Sequence, residues 1–114
     1  MKKDYIKIGG IQYRVEVNWN ALASFLREVG RDTIDELASF NTIRPSEIAA
    51  LIWACIAEGE RLDGREFKLS ILDVGAVITP EDVAGFMEIY IRQSSPQMEV
   101  TEPKKEEGQE APTS

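Results

Sequence analysis

The stretch SEIAALIWACIAEGERLDGREFKLSILDVGAVITPEDV, residues 46–83, decides how this chain folds. Its first part has a helical period of apolar residues on two faces. One face holds the larger residues Ile48, Leu51, Ile52, Cys55 and Ile56. The opposite face holds Ala49, Ala50, Trp53, Ala54 and Ala57. A helix that is apolar on both sides is expected to be central, and its small residues let a neighbouring backbone approach closely.

A charged break is predicted after this helix, over residues 58–67. The carboxylates and guanidinium groups of EGERLDGREF are expected to be solvated, and Gly59 and Gly64 permit the chain to turn. Two helix starts follow, because Ser70 and Thr79 each precede an aspartate by three residues in capping-box form. The last helix is predicted to carry its apolar face on Val83, Phe86, Met87, Tyr90 and Ile91.

The N-terminal segment YIKIGGIQYRVEV predicts a β-hairpin over residues 5–17, with Gly9 and Gly10 in a two-residue turn. If Ile8 faces Ile11, the pairing sorts apolar and polar residues onto opposite faces. The apolar face then carries Ile6, Ile8, Ile11, Tyr13 and Val15. A lone hairpin is marginal in water, so this face is expected to lie on helices.

Between these parts, a helix is expected that is capped by Asn18 or Asn20 and ends at Gly30. Asp32 is expected to cap a second, short helix over residues 33–40. The predicted fold class is α+β and mostly helical, with the N-terminal β-hairpin packed on a small bundle of about five helices. Residues 1–93 are predicted to form a single globular domain, with its helical part over 19–93. Residues 94–114, rich in Pro and Glu, are predicted to be a disordered acidic tail.

Composition excludes several function classes for this chain of 114 residues. Its formal net charge of −7 disfavours nucleic acid and anionic membrane surfaces as partners. It has no histidine, and its one cysteine, Cys55, reads as a buried hydrophobe. The longest apolar run, residues 48–57, is too short to span a membrane. We therefore expect a cytoplasmic protein that is not an enzyme, with no catalytic, cofactor-binding or metal-binding residues.

Two surfaces are candidates for binding another protein. The first is an apolar surface at Trp53, Phe86, Met87 and Tyr90, if the last helix lies on the outside of the bundle. The second is the outer strand of the hairpin, whose backbone can accept a strand. Lys2, Lys3 and Lys7 favour a protected edge instead. Self-association stays open as a further alternative.

The order of these parts resembles a known family. The helix start Asn20-Ala21-Leu22, the segment Leu51-Ile52-Trp53-Ala54 and the stretch LSILDVGAVI, residues 69–78, are similar to the small tail assembly chaperones of long-tailed phages. The small tail protein of gene transfer agents is similar in the same way. The resemblance covers residues 5–93, and the charged loop over residues 58–68 departs from the family pattern by its length.

The resemblance implies a non-enzymatic role in a bacterial host cell. Such chaperones bind the tape-measure protein, keep its long apolar helix soluble during tail assembly and are absent from the finished particle. Two other readings remain open. One is a structural phage tail or connector component, and the other is a small adaptor that binds a host protein through the hairpin edge.

Overall fold

The computed structural model describes residues 3–33 and 43–94. In this part of the chain a hairpin of β1 (Asp4–Ile8) and β2 (Ile11–Val15) precedes the helix α1 (Trp19–Glu28). A 3-10 turn (Pro45–Glu47) then leads into α2 (Ile48–Leu62), α3 (Ile71–Val77) and α4 (Pro80–Gln93).

The mostly helical α+β class is confirmed. The described residues form four α-helices, not about five. The helix predicted over residues 33–40 lies, except for Thr33, in the segment 34–42, which is outside the described residues. The predicted tail after Ser94 is also outside the described residues.

The hairpin has the predicted register, with Ile8 opposite Ile11 and Asp4 opposite Val15. Gly9 and Gly10 adopt φ angles of 59° and 83°, which side chains with a Cβ rarely adopt, so glycine suits both turn positions. The residues of the predicted apolar face are buried or partly buried, except at one position. Ile11 is 57% exposed, so its expected burial on helices is wrong. It follows the turn directly, at the opposite end of β2 from the fully buried Val15.

The helix α2 is central, as predicted. Its residues Leu51, Ile52, Cys55 and Ile56 have no exposed surface, and Ala50 and Ala54 on the other side are also buried. The helix contacts α1, β2 and α3. Most of the apolar core is therefore built around this one helix, as expected for a helix that is apolar on both sides.

The predicted break over residues 58–67 is wrong in its first half. The helix α2 continues through Leu62, and Glu58 and Glu60 are only 6% and 5% exposed. Both carboxylates stay buried because arginine and asparagine side chains and one backbone N–H group hydrogen-bond them. The chain turns only at Gly64, where φ is 80°.

Both predicted capping boxes are present. The Ser70 and Thr79 hydroxyls accept hydrogen bonds from the N–H groups of Asp73 and Asp82, whose carboxylates accept from the cap residues in return.

The buried face of α4 differs from the prediction, because Ile91 is 59% exposed while Ile89 is buried. Gln93 explains the rotation of this helix. Its side-chain amide donates to Asp4 and to the Val15 carbonyl, and its oxygen accepts from the Val17 N–H group. These bonds hold the Gln93 face of α4 against the hairpin, and Phe86 and Ile89 lie on that same face.

Candidate partner-binding site

The short helix α3 lies on the small-residue face of α2. Ala49 is close enough that a Cβ added at Gly75 would lie 3.6 Å from the Ala49 Cβ. Just before α3, the Leu69 carbonyl accepts a hydrogen bond of 2.9 Å from the Trp53 indole N–H. Val74 is the residue of α3 that is fully buried. The sequence expectation that small residues on α2 admit a second backbone is thus met by α3.

The outward side of α3 is apolar. Leu72 is 85% exposed and Val77 is 45% exposed. A seven-residue helix can bury only one face against α2, and Val74 occupies that face. Large apolar side chains left in water cost about 25 cal/mol per Å² until something covers them. Exposed large apolar residues of this kind would be covered by a binding partner.

An apolar groove of about 450 Å³ opens beside α3. It lies between the start of α2, the end of α3 and the start of α4. The described residues that line it are Pro45, Ser46, Ile48, Ala49, Gly75, Ile78, Pro80 and Val83. Among these, only Ser46 has a polar side chain, so the groove suits apolar groups of a partner.

The helices that line the groove begin with carboxylates. Asp73 lies in the first turn of α3, and Glu81 and Asp82 lie in the first turn of α4. The nearest guanidinium along the chain is that of Arg44, and it pairs with Glu47 at 3.4 Å. The surroundings of the groove are therefore acidic, which favours a partner that carries Lys or Arg next to its apolar residues.

The four residues predicted to bind a partner occupy other positions. Phe86 has no exposed surface and stacks on Tyr90 at a centroid distance of 5.9 Å. Trp53, Met87 and Tyr90 are partly buried against the core. None of the four lines the groove. Their role in binding remains a hypothesis, and Phe86 can meet a partner only if α4 moves.

The exposed apolar residues of α3 had a signal in the sequence. The stretch ILDVGAVI carries apolar residues all round a helix that is too short to be central. Leu72, Val77 and Ile78 therefore exceed what one buried face can take. The prediction for this stretch is a capped helix alone, with no binding surface on it.

A second cluster of polar residues joins the end of α2 to β2 and α1. Glu58 accepts hydrogen bonds from Asn18 at 2.8 Å and from the two Arg61 donors at 2.9 and 2.8 Å. These hydrogen bonds lower the pKa of Glu58 to about 2. Arg61 has the largest effect, and the hydrogen bonds from Asn18 and Asn20 lower the pKa further. A carboxylate held ionised by this many donors stabilises the fold and is a poor proton acceptor.

The neighbouring carboxylates are held in the same way. Glu60 accepts from Arg65 at 2.6 Å and from the Arg14 backbone N–H at 2.8 Å, and its pKa is lowered, chiefly by Arg65. Asp63 pairs with Arg14 at 2.7 Å and with Lys3 at 3.1 Å. The cluster thus ties the hairpin to α2 by charge-assisted hydrogen bonds.

The remaining candidate for chemistry is Cys55. Its thiol is fully buried, and burial raises its pKa, with the nearby carboxylates of Glu16 and Glu58 adding to the effect. A thiol of this kind is not activated as a nucleophile. Within residues 3–33 and 43–94, no group of three or more His, Cys, Asp or Glu side chains is arranged to hold a metal ion. No helix in the same residues is long and apolar enough to cross a membrane.

Comparison of the chain with protein-family models, with curated proteins and with solved structures finds no match.

Proposed function

We propose that this protein is a non-enzymatic tail assembly chaperone of a phage or prophage, which binds the tape-measure protein and keeps it soluble in the bacterial cytoplasm. The observation that carries the proposal is the apolar groove beside α3, a helix that also exposes the side chains of Leu72 and Val77. The stretch LSILDVGAVI, which supplies Gly75 and Ile78 to the groove, is also one of the segments that resemble the family.

The groove accepts one amphipathic helix of the tape-measure protein. An apolar stripe with i, i+4 spacing places successive side chains about 6 Å apart, so one can enter the groove while its neighbour covers Leu72 or Val77. Lys or Arg beside the stripe would face the carboxylates of Asp73, Glu81 and Asp82. The net charge of −7 then keeps the complex soluble.

The test is co-expression with the tape-measure protein encoded in the same genome, read as the fraction of that protein that stays soluble and co-purifies. Leu72→Ser should lower this fraction strongly, because Leu72 contributes surface to the partner and little to the fold. Ile91→Ser is the matched control, since Ile91 on α4 is 59% exposed and does not line the groove. Equal solubility with and without the chain would overturn the proposal. Equal loss in both variants would overturn the assignment of the groove.

A structural tail or connector component is the competing role. The two roles differ in one observable, because a chaperone leaves the assembly and a structural component stays. Detection of the chain at stoichiometric amounts in purified particles would therefore replace the chaperone role with the structural one.

A further inference from the structure

The two edges of the hairpin differ in what covers them. On the outer edge of β2, the Glu60 carboxylate accepts the backbone N–H of Arg14 at 2.8 Å. The Cys55 carbonyl accepts the N–H of Glu16 at 3.1 Å. At Gly59 the helix α2 comes so close that an added Cβ would overlap the Arg14 carbonyl. A further strand therefore cannot pair with β2 along this part of its length.

The outer edge of β1 is open. A two-residue turn makes Ile8 and Ile11 a hydrogen-bonded pair. The backbone groups alternate along β1 from there, so those of Tyr5 and Lys7 point away from β2, and no described residue hydrogen-bonds them. Tyr5 is 42% exposed and Lys7 is exposed. A free edge of this kind pairs readily with another strand.

The helix α4 contacts β1 from the inner face of the hairpin. Arg92 pairs with Asp4 at 2.8 Å, and Gln93 donates to the same carboxylate at 2.8 Å. Side chains alternate along a strand, so the side chain of Asp4 lies on the face of the buried Ile6. These contacts of α4 therefore leave the outer edge of β1 free.

The sequence of β1 fits a second copy of the same strand at this edge. Two copies related by a twofold axis pair antiparallel, and one register overlaps all five residues of β1. In that register Tyr5 lies opposite Lys7 of the second copy, and Ile6 lies opposite Ile6. Each dimer then has two pairs of a lysine ammonium beside a tyrosine ring, which is a favourable cation–π arrangement.

The neighbouring registers are unfavourable. A shift by one residue would set the outward backbone groups of one copy opposite inward groups of the other, so no ladder could form. A shift by two residues shortens the overlap and sets Lys7 opposite either Lys3 or Lys7 of the second copy. Like charges directly opposite each other are destabilising. Lysines on an edge oppose strand pairing in general, and here they do so in every register but one.

We propose that two copies of this protein pair through the outer edges of β1 in this register and form a continuous four-stranded antiparallel sheet. A strand pair of this length is a small interface, so we expect association in the micromolar range or weaker. The inference does not depend on the proposed chaperone function, because no hairpin residue lines the groove beside α3.

The test is sedimentation equilibrium of the full chain at concentrations up to the millimolar range. Lys7→Pro should raise the dissociation constant of the dimer about tenfold or more, because it removes an outward N–H donor from each copy. The matched control is Gln12→Pro. Gln12 lies opposite Lys7 and directs its N–H to the other edge of the hairpin, so this variant should leave the dissociation constant unchanged. Circular dichroism checks that both variants keep the fold.

A second pair of variants tests the register through the exposed side chain of Tyr5. Tyr5→Glu should lower the dissociation constant about threefold or more, because it sets a carboxylate opposite Lys7 on both sides of the twofold axis. Tyr5→Lys should raise the dissociation constant by a similar factor, because it sets like charges opposite each other. Net charge alone predicts the reverse order, since the chain is already acidic and Tyr5→Glu makes it more so.

Three results would overturn the inference. The first is a chain that stays monomeric at millimolar concentration. The second is a dimer that Lys7→Pro and Gln12→Pro weaken equally or not at all, which would place the contact on another surface. The third is a dimer that associates more tightly with Tyr5→Lys than with Tyr5→Glu, which would exclude the register that sets Tyr5 opposite Lys7.

Discussion

Arg31 and Glu47 form an ion pair with an Nη1–Oε1 distance of 2.7 Å, and their side chains are only 6% and 8% exposed. Arg31 follows the end of α1, where its N–H donates to the Leu26 carbonyl, and Glu47 lies in the turn before α2. The pair thus joins the two ends of the connection over residues 32–46. A buried pair of this kind fixes the geometry of two helices more than it adds net stability.

We expect Glu47→Gln to lower the free energy of unfolding by roughly 3 kcal/mol, because it removes the buried carboxylate that pairs with the Arg31 guanidinium at 2.7 Å. Urea denaturation measures this change. Arg44→Gln is the control, because it removes the other, 68% exposed cation that pairs with Glu47, and it should change stability by less than about 0.5 kcal/mol. Equal losses in Glu47→Gln and Arg44→Gln would show that the buried pair with Arg31 is not the cause.

Gly59→Ala should destabilise the protein by more than about 2 kcal/mol, because the added Cβ would overlap the Arg14 carbonyl and push β2 away from α2. The matched control is Gly85→Ala in α4, where an added Cβ meets no atom within 4 Å. Removing glycine from that helix should stabilise the protein by up to about 1 kcal/mol. Thermal or urea denaturation of both variants checks the prediction, and an equal effect at the two sites would contradict it.

The ionised carboxylate of Glu58 should contribute to stability in a defined range of pH. Its pKa is about 2 in the folded protein against an ordinary value of 4.5, with Arg61 as the main cause. Because the folded-state pKa is the lower one, the contribution is complete above about pH 4.5 and is lost as the pH falls toward 2. At neutral pH it amounts to roughly 2–3 kcal/mol.

The check for Glu58 is the difference in unfolding free energy between the parent protein and Glu58→Gln, measured from pH 7 to pH 2. The difference should be constant above pH 5 and shrink below it. Ile91→Ser, which removes no titrating group from an exposed position, should show no such dependence. A difference between the parent and Glu58→Gln that stays constant down to pH 2 would contradict the assignment.

Trp53→Phe should destabilise the protein by about 1 kcal/mol, because the Leu69 carbonyl loses the indole N–H donor at 2.9 Å. The same variant should loosen α3, which is seen as faster exchange of its backbone amides. Trp19→Phe is the control, since Trp19 is 59% exposed, and it should change stability by less than about 0.5 kcal/mol. Unchanged exchange in α3 would show that Val74 alone holds this helix.

Much of the fold follows from local patterns in the sequence. The Gly9-Gly10 turn and the alternation around it gave the hairpin register, because a slip by one residue would move every apolar side chain to the wrong face. Ser70 and Thr79 marked two helix starts, because each hydroxyl has an aspartate three residues later. The two apolar faces of α2 identified the central helix.

The errors lie where long-range contacts outweigh local preference. The sequence around Gly59 predicts a solvated break, yet Glu58 and Glu60 are buried. The Glu58 carboxylate accepts hydrogen bonds from Asn18 and Arg61, and that of Glu60 accepts one from the Arg14 backbone N–H. Ile91 reads as part of the apolar stripe of α4, yet Gln93 binds the hairpin and turns Ile91 to the solvent.

The candidate site, like the fold, was predictable from the sequence only in part. The sequence by itself determined that this is a mostly helical chain with surplus apolar residues, since periodicity and caps are properties of neighbouring residues. Only the tertiary structure decided which apolar residues were surplus. It enclosed Phe86 and left Leu72 and Val77 exposed on α3, because α3 can turn only one face to α2 and Val74 takes it.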